Sequence, residues 1–189
     1  MQTRLARPSD AIAMARIYNE GIEDRLATFE TRLRTGADVE RWIGGRYPVV
    51  VVESDGAVIG WASASSYRPG RDAYAGVAEF SVYVGREARG HGAGRAAMVA
   101  LIDACEKGGF WKLVSRIFAE NTASLALCRA VGFRQVGTYR RHGRLDGKWR
   151  DCVIVERLLG EALDGLESAS EAEAEAVVEP TGEATGSSR

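Results

Sequence analysis

The sequence predicts an α/β fold: a mixed sheet with helices packed on both faces. Three observations carry this. Strand-like and helix-like segments follow one another over residues 1–160 in the order β, α, α, β, β, β, α, β, α, β, β. The run from Val77 to Arg95 reads as a β-branched strand, a charged turn, a glycine-rich loop and the opening of a helix. At 46% hydrophobic the chain can build an ordinary core, and it holds no internal repeat that would point to a solenoid.

The elements follow in order. Thr3–Ala6 is a short strand. Pro8-Ser9-Asp10 starts a helix, with Ser9 or a neighbour as cap, and Ile12, Ala15 and Tyr18, backed by Met14 and Ile17, give it an apolar face through to Gly21. Residues 22–30 form a loop passing into a short extended segment. A second helix spans 35–44 with Val39, Trp42 and Ile43. Pro48–Glu53 is a strand, Asp55-Gly56 the hairpin turn, and Val58–Ala64 the return strand. A loop rich in cations and tyrosine, Ser66–Tyr74, leads to the central strand. The helix after it ends at Gly108-Gly109. Trp111–Phe118 is a strand, and Asn121 caps a short helix closed by Gly132-Phe133. Residues 134–141 are strand-like, Leu145–Lys148 a turn, and Trp149–Leu159 the last strand.

Charge divides the chain. Residues 161–189 hold eight acidic residues and one basic one; residues 1–160 hold 24 basic and 18 acidic, a net of about +6. The division predicts a domain over 1–160 and an acidic tail over 161–189, disordered beyond about Ser168. A basic body suits an anionic small molecule; the excess is too modest and too scattered for nucleic acid. No run of 18 apolar residues exists, so no membrane span is expected. Cys105, Cys128 and Cys152 are few, odd in number and far apart, which argues against a disulfide framework or a metal site and suits a reducing cytoplasm.

The glycine loop is the chemical signal. A loop that opens a helix exposes unpaired N–H groups where the helix dipole is positive, which makes a phosphate site. Glycine at 90, 92 and 94 lets a ligand approach the backbone. The Walker pattern is absent, and Arg95 breaks the Rossmann GxGxxG. The pattern present is Arg89-x-x-Gly92-x-Gly94 after a strand, with Asn121-x-x-Ser124 at the exit of the next strand and a short helix ending in Gly132-Phe133. This combination resembles the GCN5-related N-acetyltransferases over residues 1–160. Ile17–Glu23, Ala27–Glu30, Glu79–Val84 and Gly147–Asp151 are similar to the branch that acetylates phosphinothricin, methionine sulfoximine or arsinothricin, most of all to the arsinothricin-resistance type.

The resemblance implies a mostly antiparallel sheet, acetyl-CoA as cosubstrate, a small amino-acid substrate, a homodimer, and Glu79 as general base. Alternation places Glu79, Ser81 and Tyr83 on one face of the strand and Phe80, Val82 and Val84 on the other. The plain alternative for Glu79 is a pairing with an arginine. By resemblance, backbone N–H groups of Val82, Tyr83 and Val84 hold the acetyl carbonyl and the pantetheine arm. Arg89, Gly90, His91, Gly92, Ala93, Gly94 and Arg95 cradle the pyrophosphate, and Asn121 and Ser124 complete the cofactor site; Asn121 reads equally well as a plain helix cap. Many relatives carry a tyrosine that protonates the leaving thiolate where this chain has Cys128, a weak acid candidate that also reads as packing. Arg68, Arg71 and Tyr74 are candidates for the anionic head of the substrate, with Phe29 and Glu30 as pocket walls. His142 and Asp146 lie where relatives carry polar groups on the substrate side. Two other readings stay open: an acetyltransferase for a protein N-terminus or another amine, and a non-catalytic acyl-CoA sensor.

Overall fold

The computed structural model describes residues 1–163. Its elements are β1 (Gln2–Leu5), α1 (Ala11–Glu23), α2 (Gly36–Glu40), β2 (Val49–Ser54), β3 (Ala57–Ser66), β4 (Val77–Val84), α3 (Ala93–Lys107), β5 (Lys112–Phe118), α4 (Thr122–Ala130), β6 (Arg134–Leu145) and β7 (Lys148–Leu158), with short 3-10 turns at Pro8–Asp10, Asp72–Tyr74 and Arg86–Ala88. Seven strands form one sheet in the order β1-β2-β3-β4-β5-β7-β6. Every pairing is antiparallel except β4 with β5. The mixed sheet with helices on both faces is as the sequence predicts. The acidic tail beyond residue 163, with its expected disorder, lies outside the described residues.

Helices α1 and α2 cover one face. Met14, Ile17, Tyr18 and Ile22 of α1 pack with Val39, Val49, Val51 and Trp61 in one buried cluster, and the Trp61 indole donates to the Met14 carbonyl at 3.1 Å. Helices α3 and α4 cover the other face, where Ala97, Met98 and Leu101 meet Phe80, Leu113, Phe133 and Val155. The alternation expected for β4 holds: Phe80, Val82 and Val84 turn toward α3, while Tyr83 packs on the α1 side.

The structure corrects several local expectations. Ile12 is not on the buried face; it is 78% exposed and lies over Gly36, and Ala11 takes the inward position. Of Ser9 and its neighbours it is Asp10 that closes the first turn, its carboxylate accepting from the Arg7 N–H at 2.7 Å. Helix α1 runs two residues past Gly21. Helix α2 stops at Glu40, and Trp42 and Ile43 follow in tight turns that tuck them against α1, with Gly44 in the left-handed region behind them. Strand β6 is four residues longer than expected because β7 pairs with it up to Leu145.

The pairing of β4 with β5 positions the site. It covers only Val77–Glu79 against Lys112–Val114. Beyond Glu79 the strands part, so Phe80–Val84 have no strand partner on that side and leave a wedge open toward α1 and α4. Backbone groups that are not paired here must find partners elsewhere, which suits a ligand.

Candidate active site

Two cavities occupy the wedge. The larger, about 540 Å³, is lined by Tyr18, Phe29, Glu30, Glu79–Tyr83, Ser115–Phe118, Cys128 and His142, among others. The smaller, about 410 Å³, is lined by Asp24, Leu26, Val82–Val84, Arg89, Gly90, Gly92, Gly94, Arg95, Ala123 and Leu127. Ala27, Val82, Tyr83, Asn121 and Ser124 border both.

The smaller cavity is built by the glycine loop. Gly90 and Gly92 take φ of +78° and +87°, conformations that a side chain resists, and Gly92 is the N-cap of α3. Gly94 serves a different need. A Cβ there would lie 3.2 Å from Leu127 and 3.5 Å from Val84, so its absence lets α3 sit close against β4 and α4. The first N–H groups of α3 therefore open onto this cavity with no side chain before them. Asp24, at the end of α1, is the hub of the loop. Its carboxylate accepts from Arg86 Nε at 3.0 Å and Nη2 at 2.8 Å and from Arg89 Nη1 at 2.7 Å, while Arg89 Nε donates to the Val84 carbonyl. Partial burial pushes the Asp24 carboxyl up, but the hydrogen bonds from Arg86 and Arg89 outweigh it and hold the group below the ordinary carboxylate range. Arg89 thus orders the loop with its side chain. Arg95 lines the cavity and makes no ion pair among the described residues. His91 is exposed and not part of the lining, and Ala93 is buried in the core.

Asn121 is both a cap and a clasp. Its Oδ1 accepts from the Ser124 N–H at 3.1 Å, and its Nδ2 donates to the Leu26 carbonyl at 3.1 Å, tying the α1–α2 loop to the start of α4.

In the larger cavity, Glu79 is held by a residue that the sequence reading missed. Arg116 Nη2 donates to both Glu79 oxygens, at 2.7 and 2.9 Å, and Arg116 Nε to Oε1 at 3.2 Å. The Glu79 carboxylate raises the Arg116 pKa above its usual value. A signal existed: Arg116 is the only charge between Leu113 and Phe118, on the strand that a parallel pairing sets beside Glu79. Phe29 stands edge-on to Phe118 at 4.7 Å and seats against Gly143, where a Cβ would lie 2.6 Å from its ring. Glu30 accepts from Arg34 at 2.7 Å. Tyr83 stacks on Trp61 and meets Tyr18 edge-on; burial, then the neighbouring Tyr18, push its phenol well above the ordinary range and keep it neutral.

Other candidates stand elsewhere or do less than expected. Arg68, Arg71 and Tyr74 are exposed and line neither cavity; the Arg68 guanidinium lies over the Tyr67 and Tyr74 rings. They fall outside because β3 and β4 carry their connecting loop to the end of the sheet away from the wedge. Asp146 pairs with Arg25 and lines neither cavity. His142 does line the larger one. Between Tyr139 and Gly143 the ladder to β7 slips, Arg141 takes φ of +50°, and its N–H donates to Asp151 at 2.6 Å. At this bulge His142, though exposed, borders the cavity and stacks on Tyr139. Cys128 is 1% exposed, and burial pushes its thiol up to about 11.

A parted sheet, a helix-opening anion loop and a second cavity sharing one wall with it suit an enzyme that holds a phosphate-bearing cosubstrate beside a small molecule. Residues 14–133 match the model of the acetyltransferase (GNAT) family, and the chain belongs to that family. It is 36% identical over 163 residues to phosphinothricin N-acetyltransferase of Alcaligenes faecalis, covering 82% of this chain and 81% of that protein. A phosphinothricin acetyltransferase from Sinorhizobium meliloti, solved in complex with AcCoA, superposes with a TM-score of 0.79 at 34% identity, over 86% of this chain and 90% of that one. A ribosomal-protein-alanine N-acetyltransferase from Brucella melitensis gives a TM-score of 0.80 at 34% identity, over 84% and 100%. Acetyl-CoA is the cosubstrate, and the exposed N–H groups of the glycine loop beside Arg95 fit its pyrophosphate.

Proposed function

We propose that the protein acetylates the α-amine of a glutamate-like toxic amino acid, such as phosphinothricin, methionine sulfoximine or arsinothricin, and so confers resistance to it. One observation supports this most: Glu79 stands in a cavity of small-molecule size that shares a wall with the acetyl-CoA cavity. The name of the Alcaligenes faecalis relative supports the substrate class.

An α-amine titrates near or above pH 7.7, so most of it is protonated at neutral pH, and each unit of deficit costs about 1.4 kcal/mol. Glu79 takes the ammonium proton and passes it to solvent. The neutral nitrogen attacks the activated acyl carbon that bound acetyl-CoA supplies. The carbonyl oxygen gains charge beside N–H groups of the partnerless edge Val82–Val84. The C–N bond forms, the C–S bond breaks, and the nitrogen sheds its second proton. Cys128, held near 11 by burial, is a weaker acid than an ordinary thiol and a poor proton donor to a leaving thiolate. The thiolate takes its proton from solvent instead. The active form is a homodimer in the cytoplasm.

A second reading, acetylation of a protein N-terminus, is favoured by the Brucella melitensis neighbour. Thiol release from acetyl-CoA with phosphinothricin, methionine sulfoximine, arsinothricin and glutamate, in wild type and Glu79→Gln, tests the proposal. Turnover on an analogue, little on glutamate and a large fall in the variant are expected. Turnover only on an N-terminal peptide would overturn it.

A further inference from the structure

Glu79 is already engaged. Both of its oxygens accept from Arg116, and both side chains face the larger cavity, at 26% and 48% exposed. Oε1 accepts twice and Oε2 once, so the pairing leaves little room for an ammonium group unless Arg116 shifts. What replaces Glu79 at Arg116 then decides which amines are accepted. A simple amine can compete for Glu79 but offers the half-exposed guanidinium nothing in exchange. An α-amino acid carries an ammonium and a carboxylate on one carbon, so it exchanges one ion pair for two. The planar guanidinium suits the carboxylate because it donates two parallel N–H bonds. The other basic side chains of this cavity are less suited: Arg32 is turned to solvent and toward Asp38 at 3.9 Å, and His142 lies flat on Tyr139.

We propose that Arg116 is the residue that recognises the substrate α-carboxylate, and that its transfer from Glu79 to this carboxylate frees the oxygen that accepts the ammonium proton. This rests on the reading of Glu79 as base and of an amino acid as substrate. Arg116 keeps all of its protons throughout; only its hydrogen-bond acceptor changes. Recognition and activation are thereby one event, and an amine without the acid group leaves the base clamped.

The test compares two substrates. L-methionine sulfoximine has an uncharged head, so its α-carboxylate is its only anion; 3-aminopropyl methyl sulfoximine is the same molecule without that group. Steady-state kinetics with saturating acetyl-CoA are measured for wild type, Arg116→Met and Arg116→Lys. Wild type is expected to prefer the amino acid by about 100-fold or more in kcat/KM. In Arg116→Met this ratio should fall by about 10–100-fold, the worth of a charge-assisted hydrogen bond pair, mainly through KM. Arg116→Lys, with a point charge in place of the fork, should recover part of it. An unchanged ratio in Arg116→Met, or an equal loss on both compounds, overturns the proposal. If wild type turns over neither compound, the amino-acid reading of the enzyme falls. Calorimetric binding of the same two compounds then decides on Arg116: binding that needs the carboxylate and is lost in Arg116→Met upholds it, and binding that is indifferent to either overturns it.

Discussion

Replacing Glu79 by glutamine keeps the side chain's shape and removes its charge, so the pocket stays formed while proton transfer is lost. We expect kcat to fall by about 10²–10⁴ with acetyl-CoA binding retained, measured as thiol release and calorimetric affinity. Cys128 predicts the opposite. It sits in the core cluster shared by α3 and α4 and meets the larger cavity with little more than its edge. Cys128→Ala should keep kcat within about threefold and cost stability instead, on the order of 1 kcal/mol by urea titration. The thiol itself should be inert. Burial pushes Cys105 up to about 12, Cys128 up to about 11, and Cys152 in the same direction, so iodoacetamide at pH 8 should leave the folded protein unmodified. A raised thiol pKa also favours the native state below about pH 8.5, and this contribution is lost as pH climbs from there through 11.

Among the elements, the start of α4 makes two roles of one residue separable. Asn121→Ala removes the cap on Ser124 and the clasp on Leu26, and should cost about 1–2 kcal/mol of stability while raising KM for acetyl-CoA. Asn121→Asp keeps an acceptor for Ser124 but sets a carboxylate oxygen against the Leu26 carbonyl. It should keep the cap yet lose stability at the clasp, where a buried carboxylate faces an acceptor, and should raise KM because Leu26 lines the cofactor cavity. Sequence reading reached this cap, since Asn before Thr-Ala-Ser announces a helix start, and it reached the glycine loop and the alternation of β4, because both follow from local chemistry. It did not reach Arg116, whose meaning comes from a strand 37 residues away in the chain from Glu79. Arg68, Arg71 and Tyr74, candidates there for the substrate's anionic head, stand outside both cavities. A cationic loop beside the central strand looks like a binding loop in one dimension, and only the direction of the strands shows that it leaves at the far end. Ile12 was misread for a related reason: an apolar residue at helical spacing can cover a neighbouring glycine at the surface instead of entering the core.

At the scale of the whole molecule, the edge of the sheet is fastened by charge. Arg4 on β1 donates to Asp10 at 2.7 and 2.9 Å and also to Glu53 on β2, joining the entry of α1 to two strands. The hydrogen bonds from Arg4 hold the Asp10 carboxyl below its ordinary range. A depressed carboxyl pKa stabilises the fold above the unfolded value near 3.9 and ceases to do so as pH falls through the folded value. The urea midpoint should therefore hold steady from neutral pH down to about 4 and decline below it. Arg4→Met should be less stable at pH 7, and the gap to wild type should narrow in acid. The short β4–β5 pairing divides the molecule in another way. One half-sheet, β1–β4, carries α1 and α3; the other is β5-β7-β6, and α4, which follows β5 in the chain, packs on α3 in the apolar layer common to both. Between them runs the exposed Gly108-Gly109 turn. Three pairs of facing residues, the Glu79–Arg116 ion pair, the Asn121–Leu26 clasp, the Phe29–Phe118 contact and a shared apolar layer hold the halves together, and the cofactor cavity takes walls from both. A chain cut at Gly109 would yield two pieces whose reassembly acetyl-CoA promotes by binding only the assembled form. The same seam that opens the catalytic wedge thus offers a place to make the enzyme a two-fragment reporter of its own cosubstrate.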